Sequence, residues 1–103
     1  MRKPLEATEL QAALQRLPEW RVVDGKLTRE FRFKDFADAF AFMSTCALRI
    51  HALDHHPEWS NVYSNVRVQL VTHDAGGITA RDAELAGVME EIAARFPRGQ
   101  GAV

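Results

Sequence analysis

The sequence contains one pattern twice, and this repeat constrains the fold more than any other feature. In each copy a pair of strand-like segments precedes an amphipathic helix: strands within residues 20–33 before a helix over 35–54, and strands within 60–73 before a helix over 80–96. A short helix over residues 8–17 precedes the first copy. Sheets and helices must bury their apolar faces against each other. The order therefore predicts an α+β domain, a two-layer ββαββα sandwich whose four-stranded antiparallel sheet carries its helices on one face.

The first hairpin is predicted from its turn residues. Asp24-Gly25 is a strong signal for a two-residue turn, and residues 27–33 after it alternate between apolar and polar side chains. Arg29 falls in the apolar series, so we expect that end of the face to meet water or a partner.

The second hairpin is predicted with its turn at Ser64-Asn65. A short strand over 61–63 would precede this turn, and an alternating strand from Val66 would follow it. His73 shares the parity of the polar positions in that strand, unless a bulge intervenes.

Capping residues predict where the helices begin. Thr8 with Gln11, and Thr79 with Asp82, have the spacing of a capping box, and Asp35 is a good N-cap for the long helix.

Proline residues predict where helices end. Pro57 disfavours helical backbone at the preceding residue, so the long helix should end near His55. Pro97 and the glycines after it end the last helix, and we expect a frayed tail. The apolar stripe of the long helix is predicted to comprise Phe36, Ala39, Phe40, Phe42, Met43, Cys46, Ala47, Ile50 and Leu53.

Composition narrows the class of protein. A chain of 103 residues, 47% hydrophobic and 26% charged, is typical of one soluble globular domain spanning residues 1–103. The net charge of -1 and the lack of a basic stretch argue against nucleic acid as a partner. The first residues lack the apolar run of a signal peptide, and no apolar stretch is long enough to span a membrane. We therefore expect a cytoplasmic protein without a membrane partner. Cys46 is the only cysteine, so no intrachain disulfide can form.

The histidines are the strongest functional signal. His51, His55 and His56 lie within six residues, and the fourth histidine, His73, follows the last strand-like run. His51 and His55 are four residues apart and are expected on one helix face. Imidazole titrates near neutral pH, with a pKa of about 6.5, so such a cluster suits general acid–base catalysis.

Other interpretations of these residues stay open. A His-x-x-x-His pair on a helix can bind zinc, but the hydrolytic motif needs Glu where this chain has Ala52. His51 could be a cap or a surface residue, and Asp82 could do no more than close its capping box. The sequence contains no nucleophile elbow, P-loop or dinucleotide-binding glycine motif.

Read together, these residues form a recognisable signature. It comprises His55-His56-Pro57, Tyr63, His73 and Asp82, embedded in the segments His-His-Pro-Glu-Trp-Ser-Asn-Val-Tyr and Thr-His-Asp-Ala-Gly-Gly-Ile-Thr. The signature resembles that of the pterin-4a-carbinolamine dehydratases, a family that includes the dimerisation cofactor of a homeodomain transcription factor. The similarity extends over about residues 5–95, with a looser pattern upstream at Trp20, Arg29, Phe31, Phe33, Phe36, Ala39 and Phe42.

The resemblance implies a fold, a reaction and partners. The family has the ββαββα arrangement and forms dimers, some of which pair into tetramers. Its members dehydrate 4a-hydroxytetrahydropterins, such as 4a-hydroxytetrahydrobiopterin, to the quinonoid dihydropterin, without a metal or organic cofactor. This step recycles the tetrahydropterin used by aromatic amino acid hydroxylases. The alternative that the resemblance leaves open is a non-catalytic dimerisation, assembly or maturation factor of the same fold.

The resemblance also implies residue roles. His55 and His73 correspond to the acid–base pair at the 4a-hydroxyl group, and His56 to the histidine that holds the pterin ring. Many relatives carry Glu where this chain has His51, so the rate and the pH optimum are expected to differ. The expected substrate contacts are Pro57, Thr72, Asp74 and Ala75, and the expected supporting residues are His51, Asp54 and Asp82.

Overall fold

The structure, a computed structural model, describes residues 3–97 and contains the predicted two-layer fold. Its four strands form one antiparallel sheet in the order β1-β2-β4-β3. The frayed tail predicted after Pro97 lies outside the described residues. In chain order the elements are α1 (Ala7–Arg16), β1 (Arg21–Val23), β2 (Lys26–Arg32), α2 (Phe36–Leu53), β3 (Glu58–Val62), β4 (Asn65–Leu70), a 3-10 turn (His73–Ala75) and α3 (Ala80–Ala93).

The core lies between the two central strands and the helices α2 and α3. Leu27 of β2 is paired with Leu70 of β4, and Phe31 with Val66, and all four side chains are buried. The ring of Phe42 from α2 lies 4.8 Å from that of Phe31. Each side chain of this size contributes about 1.5–3 kcal/mol when it is fully buried, so these contacts fix both helices against the sheet.

The apolar stripe predicted for α2 was only partly right. The buried side chains are Ala39, Phe42, Cys46 and Ile50. Phe36 and Phe40, by contrast, are 49% and 56% exposed. Apolar residues occupy most of the circumference of this helix, so periodicity alone did not determine which side faces the sheet.

Three residues of the predicted stripe, together with Leu48 outside it, are exposed on α2. Phe36, Phe40, Ala47 and Leu48 are all exposed, and we call them the outer α2 surface. The rings of Phe36 and Phe40 lie 5.8 Å apart, and Leu48 is 75% exposed. Neighbouring exposed aromatic rings such as those of Phe36 and Phe40 can mark an interface.

Two of the three predicted helix starts are confirmed. Asp35 accepts a hydrogen bond from the Asp38 N–H at 2.9 Å, and Thr79 with Asp82 forms a capping box. The first helix begins earlier than predicted, because Glu6 is its N-cap and forms a capping box with Glu9. The sequence search favoured a hydroxyl cap and so selected Thr8.

The second hairpin turns one residue before the predicted position. Asn65 pairs with Val62, so the turn residues are Tyr63 and Ser64. Tyr63 has a φ of 51°, in the left-handed region. The side-chain amide of Asn61 donates to the carbonyls of Tyr63 and Asn65, at 2.9 and 2.8 Å, and these two bonds stabilise a turn without glycine.

Arg29, which was expected to meet water or a partner, forms an ion pair within the same chain. It lies on the helix-facing side of β2, where its Nε is 2.5 Å from Glu90 Oε2 of α3. Its guanidinium carbon lies 4.1 Å from the centroid of the Phe31 ring. Glu90 also accepts a hydrogen bond from the indole N–H of Trp20 at 2.8 Å. The break in the apolar series therefore marks an ion pair between the sheet and α3.

Within residues 3–97, no helix is long and apolar enough to cross a membrane.

Candidate active site

The long helix ends before His55, and this changes how the histidines are arranged. α2 ends at Leu53, and Asp54 follows with a left-handed backbone, φ 52° and ψ 44°. The N–H of His55 then donates to the carbonyl of Ile50 at 3.4 Å. The prediction that His51 and His55 share a helix face was therefore wrong. His51 is exposed on the last turn of α2, whereas His55 is buried.

His55 is held by a carboxylate from the start of α3. Its Nε2 lies 2.6 Å from Asp82 Oδ1, and the Asp82 side chain is 0% exposed. An ionised carboxylate can only accept hydrogen bonds, so Asp82 in that form fixes the ring hydrogen on Nε2. The other ring nitrogen of neutral His55, Nδ1, then carries no hydrogen and can accept one.

Asp82 also forms hydrogen bonds with the residue after β4 and with the N-cap of α3. Its Oδ2 accepts the backbone N–H of Thr79 at 2.8 Å and the hydroxyl of Thr72 at 2.9 Å. Thr72 follows β4, and its hydroxyl lies 2.7 Å from that of Thr79. The interpretation of Asp82 as only a capping residue is therefore incomplete, because the same carboxylate joins His55, the loop after β4 and the start of α3.

His73 lies on the loop that Asp82 anchors. Backbone hydrogen bonds between Thr72 and Gly77 close this loop, and the Gly76 φ of 75° lets it turn. The His73 side chain is 77% exposed, and its Nε2 is 3.1 Å from Glu58 Oε2. His73 is therefore open to a substrate while one of its nitrogens is oriented.

Glu58 connects His73 to the first hairpin. Its second oxygen accepts a hydrogen bond from Lys26 Nζ at 2.7 Å. This hydrogen bond is the main reason why the pKa of Glu58 is lower than its ordinary value. Burial raises this pKa, and His73 lowers it further. A negative charge is thus maintained beside His73 at neutral pH.

These hydrogen bonds, together with the chain itself, connect the residues around the site in series. His55 binds Asp82, Asp82 binds Thr72, His73 follows Thr72 in the chain, and Glu58 binds His73 three residues after His55. The hydrogen bonds of Asp82 and Glu58 thus link the segment after α2 to the loop after β4, and we call the residues they join the cluster.

The other predicted residues lie at the edge of the cluster or away from it. His56 and Asp74 are exposed, and Pro57 and Ala75 are half-buried. Their role as substrate contacts stays a prediction, as does that of Thr72, whose buried hydroxyl already has two partners in the protein. Asp54 is exposed, and its backbone rather than its carboxylate shapes the end of α2.

Two surface cavities within residues 3–97 lie elsewhere. One of about 480 Å³ lies between β2 and the end of α3, and one of about 590 Å³ lies between α1 and α3. Neither is lined by a histidine. Residues 3–97 also contain no group of three His, Cys, Asp or Glu side chains placed to hold a metal ion. The spacing argument for a zinc pair fails as well, because His55 lies beyond the end of the helix.

Three supporting residues were missed from the sequence. Glu58 could have been suspected, because the strand starts directly after Pro57 and alternation places its side chain beside the end of β4. Lys26 and Arg81 gave no signal, because each is a single charged residue in a polar segment far along the chain from its partner.

Comparisons with known proteins identify the family of the chain. The family model described as pterin 4 alpha carbinolamine dehydratase matches residues 3–92. A Solibacter usitatus protein named as a pterin-4-alpha-carbinolamine dehydratase is 50% identical over 94 residues, which is 91% of this chain and 99% of that protein. An Afipia carboxidovorans protein of the same name is 58% identical over 88 residues, which is 84% of this chain and 88% of that protein.

A solved structure has the same fold. It is described as a transcriptional coactivator/pterin dehydratase from Brucella melitensis, and it superposes with a TM-score of 0.84 at 46% identity. The match covers 88% of this chain and 99% of that one. Fold and relatives together place the protein among the hydro-lyases, the enzymes that remove water from their substrates. The chain belongs to the pterin-4-alpha-carbinolamine dehydratase family.

Proposed function

We propose that this protein dehydrates a 4a-hydroxytetrahydropterin, such as 4a-hydroxytetrahydrobiopterin, to the quinonoid dihydropterin during tetrahydropterin recycling. The observation that carries the proposal is the buried contact of 2.6 Å between His55 and Asp82. A buried imidazole held by a carboxylate through one nitrogen keeps the other nitrogen oriented for proton transfer. The family membership supports the same substrate class.

The reaction needs one acid and one base. The bond between carbon 4a and the hydroxyl oxygen breaks, and this oxygen must gain a proton to leave as water. The neighbouring ring nitrogen must lose its proton, so that its electron pair forms the new double bond to carbon 4a. His55 and His73 in opposite protonation states supply both transfers, and His56 holds the pterin ring. Acid–base assistance of this kind is worth about 10²–10⁴-fold in rate.

Single substitutions at the two histidines test this assignment. His73→Gln should lower the dehydration rate and leave the fold intact, because the His73 side chain is 77% exposed. His55→Gln should also lower the rate, but it alters a buried contact, so its fold must be checked by circular dichroism. Equal rates for the parent and both folded variants would refute the acid–base assignment.

We also propose that the protein is a homodimer or homotetramer. The outer α2 surface supports this proposal, since Phe36, Phe40 and Leu48 expose large apolar side chains on one helix and the rings of Phe36 and Phe40 lie 5.8 Å apart. A second copy of the chain is the occupant we propose for this surface. A functional link to an aromatic amino acid hydroxylase and a cytoplasmic location stay predictions from the sequence.

The second candidate function is a non-catalytic one, as an assembly or dimerisation cofactor. The observation that favours it is the description of the Brucella melitensis protein as both a coactivator and a dehydratase. Addition of the carbinolamine separates the two functions. Turnover above the spontaneous rate supports the enzyme, whereas a folded, oligomeric but inactive protein supports the cofactor.

A further inference from the structure

The first turn of α3 contacts the end of α2 through a second side chain besides Asp82. Arg81 Nη2 donates a hydrogen bond to the carbonyl of Leu53 and another, of 3.2 Å, to the carbonyl of Asp54. Leu53 is the last residue of α2, and Asp54 directly precedes His55. Two consecutive residues of α3 therefore hold His55, Arg81 through the preceding backbone and Asp82 through the ring.

The end of α2 has a conformation that needs such support. The N–H of Asp54 donates to the His51 carbonyl, and the N–H of His55 donates to that of Ile50, at 3.2 and 3.4 Å. This pair of bonds is the Schellman pattern, in which the left-handed position is usually glycine. Here an aspartate occupies it with a φ of 52°. A side chain in left-handed backbone crowds the following carbonyl and is unfavourable.

Arg81 donates hydrogen bonds to backbone carbonyls that have no partner within α2. The last carbonyls of a helix have no partner within the helix and need side chains or water. Arg81 binds the last of them, that of Leu53, and the carbonyl of Asp54 directly after the helix. Its positive charge is also favourable at a helix C-terminus. Without Arg81, the left-handed turn at Asp54 loses the contacts that compensate for its strain. Since the His55 N–H is part of the same pattern, the direction of the imidazole depends on this turn.

We propose that Arg81 is a positioning residue of the active site. It holds the left-handed turn at Asp54 and thereby places His55 against Asp82, without needing to touch the substrate itself. The proposal rests on the proposed function, because it assigns His55 an acid–base role. It names a residue pair, Arg81 and Asp54, whose effects on the rate must be coupled.

The test is an Arg81→Gln variant together with the double variant Asp54→Gly/Arg81→Gln. Arg81→Gln should lower kcat by about 10²-fold, the size expected for a misplacement of roughly 1 Å, and should change KM less. Glycine adopts left-handed backbone at no steric cost, so the double variant should recover most of the lost kcat. If Arg81 instead acted by contacting the substrate, glycine at position 54 could not compensate for its loss. Absence of recovery would therefore overturn the proposal.

Arg49→Gln is the matched control. Arg49 is exposed on α2, and it forms no hydrogen bond or ion pair within residues 3–97. Its replacement removes the same charge, here from the helix whose C-terminal end Arg81 binds, and should leave kcat at the parent value. A loss of kcat in Arg49→Gln equal to that in Arg81→Gln would assign the effect to charge alone and contradict the proposal.

Imidazole spectra make the test independent of activity. In nitrogen–proton correlation spectra, Arg81→Gln should shift the His55 ring signals, and the double variant should return them towards the parent positions. If the parent protein dehydrates no pterin, the proposed function fails while these spectra still test the role of Arg81. Unchanged His55 signals in folded Arg81→Gln would overturn it. If Arg81→Gln does not fold, the double variant decides: His55 signals near those of the parent support the role of Arg81, and displaced signals overturn it.

Discussion

At the scale of single residues, Asp82 accepts hydrogen bonds from three separate parts of the chain. His55 contributes a ring nitrogen, Thr72 a hydroxyl and Thr79 a backbone N–H, and the carboxylate has no exposed surface. A buried polar group is costly to leave unpaired, at about 1–3 kcal/mol. The geometry of the site and the start of α3 therefore depend on the same side chain.

We predict that Asp82→Asn lowers kcat by about 10²-fold or more, with little change in KM. The hydroxyl of Thr72 and the backbone N–H of Thr79 must still donate to an oxygen, so the amide oxygen of the asparagine faces them. The amide NH₂ group then faces His55. His55 must then accept at Nε2 and carry its hydrogen on Nδ1, the wrong nitrogen for a base. Steady-state kinetics and the nitrogen shifts of the His55 ring check this prediction. A parent-like kcat in the folded variant would show that the His55 tautomer is unimportant.

His56 has a different expected role, because its side chain is exposed beside the cluster and has no partner among the hydrogen bonds of residues 3–97. We predict that His56→Ala raises KM more than it lowers kcat, since a residue that holds the ring contributes equally to substrate and transition-state binding. Initial-rate measurements over a range of pterin concentrations separate the two constants. A variant with parent KM and much reduced kcat would instead give His56 a catalytic role.

At the scale of elements, α2 determines both the core and the site. One side of the helix carries Phe42, Cys46 and Ile50 into the core, and its C-terminus delivers His55 to the start of α3. Burial raises the pKa of the Cys46 thiol to about 12, although the charge of Arg95 acts in the opposite direction. The thiol therefore stays protonated, as a small apolar side chain inside the protein.

We predict that the contribution of Cys46 to the stability of the fold decreases at alkaline pH. Its pKa is raised on folding, so its contribution to stability is complete below its ordinary value of 9.0 and is lost as the pH rises towards 12. The excess unfolding free energy of the parent over Cys46→Ala should shrink by about 1 kcal/mol between pH 7 and pH 10. Urea unfolding at both values measures this excess. An excess that is equal at the two values would contradict the pKa assignment.

The elements could be predicted wherever local chemistry decides them. The Asp24-Gly25 turn, the Asp35 cap and the Thr79–Asp82 capping box each depend on residues close in sequence, and each is present. The end of α2 near His55 was predicted from Pro57. The left-handed backbone at Asp54 was not, because an arginine from a distant helix supports it. The turn at Tyr63 was missed for a similar reason, since the amide of Asn61 stabilises it.

For the site too, contacts between residues far apart in the sequence were the part that could not be predicted. The sequence grouped His55, His73 and Asp82 through a resemblance that covers most of the chain, and their shared role stays a prediction. The structure shows that Asp82 binds both His55 and Thr72, the residue before His73. The sequence did not reveal that Glu58 and Lys26 hold His73, because this contact joins two strands that do not pair with each other.

At the scale of the whole molecule, the outer α2 surface sets the expected assembly. We predict that the parent protein sediments as a dimer or tetramer and that Phe40→Glu shifts it towards smaller species, because the charge would be buried in the interface. Arg49→Gln, a change on the same helix outside this surface, should leave the sedimentation coefficient unchanged. A parent protein that is monomeric at micromolar concentration would contradict the proposed assembly, while leaving the chemistry of the site untouched.

The central claim is that His55 and His73 together perform the acid–base chemistry of pterin dehydration. The most direct test follows the disappearance of a freshly generated 4a-hydroxytetrahydropterin by stopped-flow absorbance, with the parent protein and with the double variant His55→Gln/His73→Gln. We predict that the parent accelerates the decay well above the spontaneous rate and that the folded double variant returns it to nearly that rate. A double variant as fast as the parent, or a parent no faster than buffer, would contradict the claim.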